Sequence, residues 1–140
     1  MPRSMALEEV RVFLDQKPGW VAFSSIDPGG TPHTVPLGYF CSGDELLMGV
    51  GDGTAKVRNV ERDSRASAMV ENGKTFDDIK GVLIQGRAFI HRDPTEVLAY
   101  MQEGARQRGI AAENLPRDAR PGAVFIRLTP ERILSWDYGS

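Results

Sequence analysis

The sequence changes period at residue 20, and that change limits the folds open to it. Before it, Leu7, Val10, Phe13 and Leu14 recur at helical spacing, with Glu8, Glu9 and Arg11 on other faces. The spacing predicts a helix over residues 5–16, with Ser4 as N-cap and Pro18-Gly19 as the stop. After it come short β-type runs separated by turn chemistry: 20–26, Asp27-Pro28-Gly29-Gly30, 31–40, Ser42-Gly43-Asp44, then 45–50. Three such runs predict an antiparallel meander. Local hairpins without alternating strand–helix–strand units count against a parallel Rossmann-type sheet.

Beyond Gly51-Asp52-Gly53 a short helix is expected over 54–63 and a fourth strand over 66–71. A long fifth strand follows over 81–90, with Gly86 as a bulge or bend. Asp93-Pro94-Thr95 opens a helix that ends near Arg108, before Gly109. Residues 111–121 read as an irregular loop, 123–128 as strand six, and 132–136 as a possible extension after a Thr129-Pro130 break. Six strands and three helices in 140 residues describe one domain, 1–140, of α+β class. It is mainly antiparallel β, a barrel or a sandwich.

The chain carries 17 Lys and Arg against 19 Asp and Glu, a net charge of −2, with no basic run, so nucleic acid is not an expected partner. Cys41 is the single cysteine, which excludes an intrachain disulfide framework and an all-cysteine metal site and fits a reducing cytoplasm. The N-terminal residues form no signal peptide, and no apolar run approaches the roughly 18 residues that span a bilayer. No membrane partner is expected. His33 and His91 are the only histidines, and no metal-ligand spacing surrounds them. Asp77-Asp78 reads as a solvated turn.

The stretch richest in chemistry is Gly51-Asp52-Gly53-Thr54-Ala55-Lys56-Val57-Arg58-Asn59-Val60. Its glycines allow a sharp turn, and a helix start then leaves free N–H groups at the positive end of its dipole. Such a place binds phosphate, with Lys56 for charge, Thr54 for a hydroxyl and Arg58 for a planar fork. Lys56 and Asn59 are a turn apart on that helix. A solvated basic helix capped by threonine accounts for the same residues.

Four segments, in order, resemble the pyridoxamine 5′-phosphate oxidase-like family. They are Thr31-Pro32-His33-Thr34-Val35-Pro36-Leu37-Gly38-Tyr39, the run from Thr54 to Ala66, Gly81-Val82-Leu83-Ile84-Gln85-Gly86-Arg87-Ala88 with Pro94-Thr95-Glu96-Val97 after it, and the ending from Ile126 to Trp136. The resemblance implies a six-stranded split β-barrel with short flanking helices, in which a homodimer builds two flavin sites. It implies FMN, or alternatively the deazaflavin coenzyme F420, and does not separate them. Thr54 and Lys56 would hold the cofactor phosphate, supported by Arg58 and Asn59. The backbone of Val35, Pro36, Leu37 and Gly38 would pass along the ring, Gln85 and Gly86 would lie near it, and Trp136 would approach from the partner subunit.

The expected function is therefore a flavin-type oxidoreductase that moves hydride to or from a small organic substrate. The cofactor carries that chemistry, so the lack of a catalytic triad is no obstacle. A non-catalytic cofactor carrier or sensor, or a structural dimer with a vestigial site, are the rival readings. The founding oxidase has a longer C-terminal segment with substrate-binding arginine and histidine, whereas Arg132 is the only cation from 132 to 140 here. Pyridoxamine 5′-phosphate oxidation is not expected unless Arg117 and Arg120 of the preceding loop stand in for those groups, and an uncharged or weakly polar acceptor is.

Overall fold

Residues 2–139 are described by a computed structural model. The helical spacing near the N-terminus yields α1 (Leu7–Asp15), which buries Val10, Phe13 and Leu14. It starts two residues later than expected, with Ala6 rather than Ser4 at the N-cap. The preceding residues are tied elsewhere: the Arg3 N–H donates to Asp137 O at 3.1 Å, and the Met5 N–H to Ser135 Oγ at 2.8 Å. Lys17, in a left-handed conformation at φ 49°, turns the chain out of the helix before Pro18.

Seven strands follow in one antiparallel sheet: β1 (Val21–Ile26), β2 (Pro32–Leu37), β3 (Phe40–Ser42), β4 (Glu45–Gly51), β5 (Arg65–Asn72), β6 (Lys80–His91) and β7 (Ala123–Asp137). Helix α2 (Ala55–Arg62) lies between β4 and β5, and α3 (Pro94–Gln107) between β6 and β7. The sheet order is β2-β1-β5-β6-β7-β4-β3. The run expected as one strand over 31–40 is thus two, and no meander forms. β2 pairs with β1 at one edge of the sheet, while β3 pairs with β4 at the other. Tyr39 causes the break, because its ring is buried and its hydroxyl donates to Leu14 O at 2.7 Å beneath α1.

Only Gly38 and Tyr39 separate the two edge strands. Three Cα steps span at most about 11 Å, so the sheet curls until its edges flank a gap. That is the expected split β-barrel, with seven strands instead of six. Its inside is filled by Val21, Phe23, Leu46, Met48, Ile84, Ile126 and Leu128. A second cluster, Phe40, Leu47, Val97 and Phe125, seats α3 on the outer face of the β3-β4-β7 half.

The Thr129-Pro130 pair does not end a strand. Pro130 sits where the β6–β7 register shifts, opposite Gly86, so its missing N–H leaves no ladder bond unmade. A Cβ on Gly86 would lie 2.0 Å from Thr129 O, which makes the expected bend at this glycine a steric requirement of β7. The caps of α3 are as expected: Pro94 begins it, the Asp93 carboxylate accepts from the Glu96 N–H at 3.1 Å, and Gly109 follows at φ 85°. No helix is long and apolar enough to cross a membrane among the described residues.

Candidate functional site: a trough ending at a helix N-terminus

β4 ends at Gly51, and Gly53 turns the chain at φ 75° into α2. Thr54 is the N-cap, but its hydroxyl donates to Gly51 O at 2.9 Å, so no side chain caps the first-turn N–H groups among the described residues. Lys56, half-buried beside them, makes no hydrogen bond or ion pair among the described residues. Arg58 folds back and donates to Gly53 O at 2.5 Å, bracing the loop. Asn59 is buried: its amide donates to Ser25 Oγ at 3.2 Å and its carbonyl accepts from Arg62 at 2.9 Å. It pins α2 beneath the end of β1, and both polar ends of its side chain are in use.

The loop is held from outside by Arg92. Its guanidinium donates to both Asp52 carboxylate oxygens, at 2.9 and 3.0 Å, and to Glu61 at 2.6 Å. These bonds hold the Asp52 and Glu61 carboxyls below their usual range.

From Gly51, at the end of β4 just ahead of this helix, a trough runs to Gly38 between the two edge strands. One part, of about 390 Å³, is lined by Gly49, Gly51, Gly122 and Arg120. A larger part, of about 610 Å³, shares Gly49, Met101, Arg120 and Phe125 with it and extends to Gly38, Trp20 and Arg108. Gly38 and Gly51 thus mark opposite ends of one concavity. Its floor is kept open by small residues: a Cβ on Gly49 would lie 3.3 Å from the Phe125 ring, and one on Gly104 3.1 Å from Phe40. Tyr100 packs between them, 6.5 Å from Phe40 and 5.3 Å from Phe125 by ring centroids. The lining carries Lys17, Arg108 and Arg120 and no acid. Neither arginine makes an ion pair among the described residues. Planar ligands bearing negative charge suit such walls.

The other expected residues are spread around the barrel. Val35 and Leu37 lie opposite Phe23 and Val21, on the inner face of edge strand β2, while Pro36 and Gly38 are exposed. Gln85 is exposed on the outer face of β6, and Gly86 is buried inside. Trp136 pairs with Gly81 on β7, donates to Glu71 at 3.0 Å, and lies flat enough on Gly81 that a Cβ there would meet its ring at 2.3 Å. Four strand spacings, roughly 19 Å, separate β2 from β7 along the sheet. His33 faces Ser25 across β1–β2, and its Nδ1 is buried with no partner among the described residues. Cys41 is half-buried, and burial pushes its thiol up to about 12, which makes it a poor nucleophile.

Sequence reasoning missed Gly49, Tyr100, Gly104, Arg108 and Phe125. The helix carrying Tyr100, Gly104 and Arg108 was expected, and their spacing of four shared a face in advance. Nothing local said which strand that face would meet.

The family model described as pyridoxamine 5′-phosphate oxidase matches residues 6–137. Among curated proteins nothing matches. Among solved structures, a conserved hypothetical protein, Rv2991 from Mycobacterium tuberculosis, is similar, with TM-score 0.80 and 22% identity over 96% of this chain and 86% of that one. A protein described as an F420 reductase has TM-score 0.63 and 19% identity, over 83% of this chain and 89% of its own. HutZ, a heme storage protein from Vibrio cholerae, has TM-score 0.68 and 18% identity, over 97% of this chain and 100% of its own. At these identities the structures speak for the fold, while the family match covers nearly the whole sequence. The chain belongs to the pyridoxamine 5′-phosphate oxidase-like family of flavin split barrels.

Proposed function

We propose that the protein is a flavin-type oxidoreductase, using FMN or F420, that transfers hydride to or from a small organic substrate at a site shared by two copies. One observation carries the reading: Lys56, half-buried and without a hydrogen bond or ion pair among the described residues, sits in the uncapped first turn of the helix that follows Gly51, and Gly51 lines the trough. The residues present fit a phosphate-bearing planar group. Thr54, Lys56 and the first turn of α2 would hold the phosphate, with Arg58 and Asn59 fixing the loop and helix behind it. The backbone of Val35 to Gly38, on a free sheet edge, would lie along the ring. Gln85, exposed on the outer face of β6, would lie near the ring and Trp136 would approach from the partner subunit, whereas Gly86, buried inside the barrel, takes no part. Bound there, FMN or F420 would supply the hydride chemistry.

The trough changes the expected acceptor. Arg108, Arg120 and Lys17, with no acid among them, favour a planar organic anion over the uncharged molecule expected from sequence. Arg132 pairs with Gln85 outside the trough, but Arg120 lines it, so pyridoxamine 5′-phosphate, itself a planar anion, belongs among the substrates tested, and formation of its aldehyde would overturn the expectation from sequence. We place the protein in the cytoplasm, because a single cysteine with no intrachain partner fits a reducing compartment.

The test is titration of apo-protein with FMN and F420 under identical conditions, followed by turnover with a reductant and a panel of planar acids. Binding of neither cofactor would refute the reading. The heme storage protein among the similar structures favours a second reading, in which the trough holds a planar molecule without turning it over. Tight binding with no turnover on any acceptor would select it.

A further inference from the structure

We infer that Arg92 is a positioning residue for the cofactor phosphate, acting through Asp52 without touching the ligand. The inference rests on the phosphate reading given above. Arg92 follows β6 and precedes the Asp93 cap of α3, so its backbone is fixed by two elements. Its side chain reaches back across the fold to Asp52 in the Gly-rich loop and to Glu61 on α2. Asp52 lies three residues before the first residue of α2, and one of its oxygens also accepts from the Gly53 N–H at 2.8 Å.

Each of these bonds has a consequence for an anion at α2. A carboxylate beside a helix N-terminus competes with a phosphate for the same positive end. The bidentate guanidinium neutralises Asp52 and fixes both of its oxygens. The three side chains are about 40% exposed (42% for Arg92, 39% for Asp52, 42% for Glu61), where an isolated ion pair would contribute little. A bidentate contact within a three-member network is the exception to that rule. Removing Arg92 leaves the Asp52 carboxylate uncompensated just ahead of the open N–H groups, and Glu61 uncompensated in the last turn of the same helix. The effect should fall on the phosphate and spare the ring.

Affinities are therefore measured for pairs that differ by the phosphate: FMN against riboflavin, and F420 against its phosphate-free deazaflavin chromophore. In Arg92→Gln the phosphate-bearing member is expected to bind roughly 3- to 30-fold more weakly, with its phosphate-free partner unchanged. Arg92→Lys should fall between the two. Asp52→Asn, added to Arg92→Gln, should restore most of the loss, which a merely structural role would not allow. Equal affinity in Arg92→Gln and wild type overturns the inference. So does a loss shared by riboflavin, or one that Asp52→Asn leaves in place. Wild-type protein that gains nothing from the phosphate overturns the phosphate reading itself, and this inference with it.

Discussion

Lys56 is half-buried and makes no ion pair among the described residues, so a bound phosphate would supply its counter-charge. Lys56→Ala should therefore weaken FMN or F420 binding by about ten- to a hundredfold and leave the melting temperature of the apo-protein unchanged. Equal affinity for both cofactors in the variant, measured by fluorescence titration, would remove Lys56 from the site. Its neighbour one turn on, Asn59, shows what spacing alone conveys. Both belong to one helix, yet Asn59 is buried against Ser25, a residue 34 positions away that no local pattern could supply. Gly86 makes the same point for backbone. The sequence marked a bend there, but the reason lies in Thr129 O, 2.0 Å from where a Cβ would stand. Because that neighbour is backbone, Gly86→Ala should destabilise the protein by about 1–3 kcal/mol or more, read as a lower urea midpoint at constant m-value. A midpoint within error of wild type would mean that β7 can shift, and the register account would fail.

Elements with local caps were legible, and elements ended by distant contacts were not. α3 begins at Asp93 and Pro94 and gives way to Gly109, all of them adjacent signals. The end of β2 depends on Tyr39 reaching α1, and the continuity of β7 through Pro130 depends on a bulge against β6. The start of α1 is likewise set by partners, and it carries a pH signature. Glu9 is held at about 2, first by Arg3 at 2.6 Å and next by the Ala6 N–H. A carboxyl depressed in the folded state contributes stability above its unfolded value, about 4.3, and loses it as pH falls towards the folded one. The difference in melting temperature between wild type and Glu9→Gln should therefore be constant from pH 5 to 8. It should shrink between about pH 4.3 and 2. A difference that persists unchanged at pH 2.5 would show that Glu9 acts through something other than its charge.

The barrel as a whole is covered unevenly. α3 shields the outer face of one half, while among the described residues no helix packs over the outer face of β2, β1, β5 and β6. Across that uncovered face the registers align Pro36, Ala22, Met69, Leu83 and Leu134 in one apolar row over five strands. Trp20 stands nearby with 72% of its surface exposed. The aromatics on and beside β1, β3 and β7 divide sharply: Phe23, Tyr39 and Phe40 are buried within the protomer, which leaves Trp20 and Trp136 for a partner. A dimer through this face also answers a distance. β2 and Trp136 are too far apart along one sheet to flank a single ring, but two facing copies can bring the β2 edge of one to β7 of the other. An obligate interface of this kind should bury more than roughly 2,000 Å² in total. Sedimentation velocity at micromolar concentration should then show a dimer. Met69→Glu combined with Leu83→Glu, which sets four carboxylates into that apolar face, should give a folded monomer that has lost most of its cofactor affinity. A wild-type protein that sediments as a stable monomer would end the shared-site proposal. A monomeric variant that binds FMN or F420 as tightly as the dimer would end it too, and would assign the whole cofactor site to the trough of one protomer.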